Sequence, residues 1–142
     1  MTLLTMKKAV LTVAALAITI NASAQTPAVS AQQQKARQEK VIQNFRTSLK
    51  SDYTGIVEGT IYNIVVYKKY YPELDYSSVL TMLHQSSQEN EDASLRFKAH
   101  LAAMYLSTDS GIEITPVSRP SDHEYIFRQI AEQLEKKLLV TN

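Results

Sequence analysis

The sequence predicts an all-α protein, a short α-α superhelix of five helices built as a right-handed stack of hairpins, after a cleaved signal peptide. Three observations predict it. Apolar residues recur at three- and four-residue intervals through most of the chain beyond residue 35. Only three Gly and four Pro occur in 142 residues, while Ala, Gln, Lys, Glu and Leu are common. That composition favours helix and supplies few of the turns a strand-rich fold needs. Finally, the chain resembles itself at an offset of 38 residues.

Residues 1–24 read as an export leader. Lys7-Lys8 forms a basic start, Ala9 to Ile20 carries no charge, and Ala22-Ser23-Ala24 is an A-x-A cleavage site. A permanent span needs about 20 apolar residues, and the polar stretch from Asn21 to Gln34 interrupts the run first. The rival is an uncleaved anchor. Met6 is an alternative start to Met1, giving a tighter basic region. No Cys follows the cleavage position, which excludes a lipoprotein anchor. The expected mature chain begins at Gln25, has no membrane span and is periplasmic or secreted from a bacterium.

Residues 25–34, rich in Gln, Ala, Ser and Thr with Pro27, read as a tether, the alternative being that its end joins the first helix from about Gln32. Residues 35–142 form the expected helical domain: hairpin 35–71, hairpin 75–107, loop 108–120 and capping helix 121–140. Val41, Ile42, Phe45 and Leu49 give the first helix its apolar face. The second carries Val57, Ile61, Ile64, Tyr67 and Tyr71 and stops before Pro72, which cannot donate and disfavours helix in the residue before it. A strand is the rival for Thr60 to Tyr67, a run rich in Ile, Val, Thr and Tyr. Helical spacing and the lack of a neighbouring hairpin signal favour the helix. Asp75 or Ser77 caps a third helix holding Val79, Leu80 and Leu83. The fourth starts near Asp92 and presents Leu95, Ala99, Ala102 and Leu106 on one face and Phe97, Leu101 and Met104 on another, so burial on two sides is expected. Gly111, Pro116 and Pro120 make the next stretch irregular. Ser121 or Asp122 caps the last helix, where Ile126, Ile130, Leu134 and Leu138 repeat every four residues.

At the offset of 38, Val41, Ile42 and Phe45 fall on Val79, Leu80 and Leu83. Val57, Ile61, Ile64 and Tyr67 fall on Leu95, Ala99, Ala102 and Tyr105. One helical hairpin used twice has this signature. Against it, Leu49 meets Ser87 and Ile56 meets Ser94. The segment Asp92-Ala93-Ser94-Leu95-Arg96-Phe97-Lys98-Ala99-His100-Leu101-Ala102 resembles the second-helix start of a HEAT-type repeat. The earlier copy, Ser51 to Ile61, departs from it by placing Glu58 where Arg96 stands. The resemblance covers about Val41 to Leu106 and implies a scaffold that binds other proteins. Solenoids usually need three or more units, so the last helix is expected to act as the cap.

Composition narrows the chemistry. Fifteen Lys and Arg against fourteen Asp and Glu give a formal charge of +1, which argues against a nucleic-acid surface. The absence of Cys removes disulfides, thiolate metal sites and cysteine nucleophiles together. No phosphate loop, nucleophile elbow or His-Glu-x-x-His is present. His84, His100 and His123 are far apart, and Glu89, Glu91 and Asp92 are explained by capping and a solvated turn. Asp109-Ser110 and Ser121-Asp122-His123 hold hydrolase residue types in positions where turns and caps expect them. No catalytic residue, metal ligand or cofactor is therefore assigned.

Tyrosine is the oddity: six of eight lie between Tyr53 and Tyr76. Tyr62, Val66 and Tyr70 form a second stripe on helix 2, opposite the Val57 face. It is either core, meeting Phe97, Leu101 and Met104, or a partner-binding surface anchored by Tyr62 and Tyr70 with Lys69 at its rim. The function expected is a non-catalytic exported module binding another protein. The alternatives are a small helical enzyme or a ligand or metal carrier using His84, His100 or the acidic turn, and a periplasmic holdase-type chaperone.

Overall fold

The computed structural model describes residues 30–108, 111–117 and 123–140. Among them are five helices and no strand: α1 (Ala31–Ser48), α2 (Thr54–Tyr70), α3 (Ser77–Glu89), α4 (Ala93–Ser107) and α5 (His123–Val140). The leader, the candidate caps Ser121 and Asp122, and Asp109-Ser110 lie outside the described residues.

α1 begins at Ala31, inside the stretch read as tether, because a capping box forms there. The Ser30 hydroxyl accepts from the Gln33 backbone N–H at 3.2 Å, and the Gln33 side chain accepts from Ser30 N–H at 3.2 Å. Thr60 to Tyr67 is helical throughout, so spacing outweighs β-propensity here. α2 ends at Tyr70 and Pro72 follows within two residues. The residue at the N-cap of α3 is Tyr76, while the Asp75 carboxylate accepts from both the Ser77 backbone N–H (2.9 Å) and hydroxyl (2.6 Å). Those bonds hold the Asp75 pKa below the ordinary carboxylate value. Asp92 caps α4, accepting from Ser94 N–H at 2.7 Å and Leu95 N–H at 3.2 Å. Arg96 donates to the carbonyls of Asn90 and Glu91, which ties the α3–α4 turn to the helix that follows it.

α1 packs on α2 and α3 on α4; α1 also lies against α3, and α2 against α4. The two hairpins are therefore stacked, with α5 on α4. Their core holds Val57, Ile61, Ile64, Val65, Val79, Leu83, Leu95, Ala99 and Ala102, all buried. The small residues Ala99, Ala102 and Ala103 suit α4's central place, since they let neighbouring helices approach closely. α1 contributes no buried residue; Ile42, Phe45 and Leu49 lean on the core from outside, Phe45 edge-on to Tyr67.

Burial along the last helix stops earlier than its four-residue period suggests. Ile126, Phe127 and Ile130 are buried and Leu134 is half-buried, but Leu138 is 68% exposed. Phe97 and Met104 are exposed as well, so only Leu101 of the second α4 stripe enters the core. α5 packs on α4, and residues 111–117 with the start of α5 meet α2 at Tyr62 and Lys69.

Candidate functional site

The cleft between α2 and α5 holds residues 111–117 in extended form, and side chains grip that segment by its backbone. Gln129 accepts from the Thr115 N–H at 2.9 Å and donates to the Thr115 carbonyl at 3.2 Å. One helical turn on, Gln133 does the same to Glu113, accepting from its N–H at 2.9 Å and donating to its carbonyl. The match is geometric. Two residues of extended chain advance about 6.6 Å and four residues of helix about 6 Å, so glutamines at i and i+4 meet every second residue of an antiparallel strand.

From the α2 side, the Tyr62 hydroxyl donates to the Val117 carbonyl at 2.8 Å and accepts from the Val117 N–H at 3.3 Å. The Lys69 ammonium donates to the Ile114 carbonyl. Alternation sends the remaining side chains inward, where Ile112 and Ile114 are buried, Ile114 at 2% exposure, while Glu113 and Thr115 face out. Gly111 opens the segment with φ 94°, a left-handed conformation that favours glycine. A β-carbon there would stand 3.1 Å from the movable Lys137 ammonium, so it is the backbone conformation rather than space that calls for glycine.

One helical turn before Tyr62 on α2, a charge cluster joins three helices. Lys98 of α4 has a side chain only 4% exposed and bonds the carboxylates of Glu58 on α2 and Glu124 on α5. Its ammonium also stands 5.9 Å from the centre of the Phe127 ring. Burial opposes the ammonium charge, but the bonds and charges of Glu124 and Glu58 outweigh it and raise the Lys98 pKa. The His123 ring stacks on Tyr62 with centroids 3.6 Å apart.

The three stripe residues and Lys69 are thereby placed. Tyr62, 6% exposed, is no surface anchor: His123 lies on its ring and Val117 takes its hydroxyl. Val66 is half-buried against the core, and Lys69 is committed to Ile114. Tyr70 stands open, at 61% exposure, and Lys69 remains exposed beside it. The cover over the stripe is thus residues 111–117 and the start of α5 rather than Phe97 and Met104. His84 and His100 are exposed and not brought together with His123. In the acidic turn, Glu89 accepts from Gln85 at 2.8 Å and Asp92 caps α4. Among the described residues no three His, Cys, Asp or Glu side chains are grouped to hold a metal ion. No described helix is long and apolar enough to cross a membrane.

Sequence reasoning missed Ile112, Ile114, Gln129, Gln133 and Lys98. A signal existed for the first four: a period-two alternation of Ile with Glu and Thr, and two Gln four apart on the following helix. Nothing in local spacing marks Lys98, because its partners lie on two other helices. No family model matches the chain, and no curated protein or solved structure is significantly similar to it.

Proposed function

We propose that this chain is a non-catalytic, exported helical-repeat protein, HEAT-like over about Val41 to Leu106, whose mature form beginning at Gln25 binds another protein in a bacterial periplasm or outside the cell. The stacking of α1 on α3 and α2 on α4 supports the repeat reading, since each hairpin buries its apolar face against the next. The observation that carries the binding reading is the C-terminal end of α2. Tyr70 and Tyr71 are both exposed there. Lys68 and Lys69 line an open cavity of about 560 Å³ with Tyr105, Thr108 and Ile112. Exposed tyrosines beside rim lysines offer a partner rigid apolar area with a polar edge.

The test is recovery of partners from a bacterial envelope fraction by the purified mature chain. A protein retained by the wild type and lost by Tyr70→Ala, at an unchanged melting temperature, is the expected result. Equal retention by both would remove Tyr70 from the interface, and turnover in a hydrolase screen would remove the non-catalytic reading. Mass spectrometry of the exported protein reads its first residue, expected to be Gln25.

A further inference from the structure

We infer that the α2–α5 cleft is a receptor for an extended polypeptide segment with branched aliphatic residues at alternate positions, and that residues 111–117 occupy it as an internal stand-in for a segment supplied by a partner protein. The inference rests on the binding reading above and names the chemistry the partner would present.

Four features carry it. The grips of Gln129, Gln133, Tyr62 and Lys69 all fall on backbone atoms, so they recognise an extended chain whatever its side chains. Selectivity resides in the two inward positions filled by Ile112 and Ile114. Glu113 and Thr115, whose backbones are held, turn their side chains to solvent and leave those positions free to vary. The hydrogen bonds that hold the segment come from side chains of α2 and α5 rather than from a sheet, so a strand from elsewhere can make the same set one for one. This is the logic of strand addition, with glutamine amides in place of a sheet edge. The resident segment is covalently attached and competes at high effective concentration. A partner therefore binds the wild type with an affinity reduced by the fraction of time the cleft is open.

The experiment vacates the cleft and offers the segment back in trans. Ile112→Ser/Ile114→Ser in the full mature chain removes the inward anchors. The probe is a blocked heptapeptide with the sequence of residues 111–117, and the control peptide carries Ser at both Ile positions. The expected result is a melting temperature that falls in the double variant and rises with added probe, together with shifted side-chain amide signals from Gln129 and Gln133 in NMR spectra. The control peptide does neither. Gln129→Ala/Gln133→Ala added to the vacated chain weakens probe binding by at least about tenfold, and the wild type binds the probe more weakly than the vacated chain. If the vacated chain is unfolded, refolding by the probe supports the inference and no refolding overturns it. Equal effects of both peptides, or none, also overturn it. A Tyr70-dependent partner recovered by a chain whose vacated form ignores the probe would sink the cleft while leaving the binding reading intact.

Discussion

Lys98 is the residue on which most of the buried charge depends. Its ammonium joins Glu58 (37% exposed) and Glu124 (63% exposed), and so links α2, α4 and α5 at one point. Lys98→Met keeps the length of the side chain but leaves both carboxylates without their cation. It should cost about 2–3 kcal/mol in chemical denaturation, less than the loss of a fully buried pair because both acids are partly solvated. The opposite sign is expected at Ser86, whose hydroxyl is buried in α3 without a hydrogen-bond partner. Ser86→Ala removes an unsatisfied polar atom and improves helix propensity, and should raise stability by about 0.5–1 kcal/mol. Neither residue is conspicuous as a sequence, since burial of a single Lys or Ser depends on what other helices bring to it.

The elements differ in how they are held. Helices α1 to α4 follow from period and punctuation, and their observed ends lie within a few residues of the expected ones because caps and Pro72 act locally. Asp92→Ala removes the acceptor for two N–H groups of α4, so a loss of about 1 kcal/mol is expected in denaturant titration. The 111–117 segment has no such local cause. Its Glu113 and Thr115 backbone bonds depend on Gln133 and Gln129. Gln129→Ala and Gln133→Ala should each cost about 1 kcal/mol. Amide exchange should speed at Thr115 in the first and at Glu113 in the second, leaving α2 protected. A uniform rise in exchange across the helices would contradict that assignment.

The whole molecule carries several groups whose protonated form is favoured by folding. Burial raises the pKa of Tyr67, Tyr76 and Tyr105, with neighbouring tyrosines adding to it for Tyr67 and Tyr76. Lys98 is raised by its carboxylate partners against the effect of burial. For each, the unfolded chain releases its proton first as pH rises, so the stability that group contributes is complete below the ordinary value, 10.0 for Tyr and 10.5 for Lys, and is lost as pH climbs past it toward the raised folded value. Melting temperatures should therefore fall steeply above about pH 10. Tyr105→Phe and Tyr76→Phe should flatten that fall, although the second also gives up the bond from its hydroxyl to the Tyr71 carbonyl. An unchanged slope in both variants would assign the alkaline loss elsewhere.

The amino-acid order alone determined the helical class, the position of five helices and the two apolar faces of α2, because these depend on spacing within ten or twenty residues. It also singled out the Tyr62 stripe without deciding what covers it. Tertiary structure decided that: residues 111–117, expected to be a mere irregular link, close over Tyr62 and Lys69 and are gripped from α5. The physical reason is range. A helix satisfies its backbone from within, whereas an extended segment outside any sheet must find its donors and acceptors on other elements, and only the folded chain brings Gln129, Gln133, Tyr62 and Lys69 to one cleft.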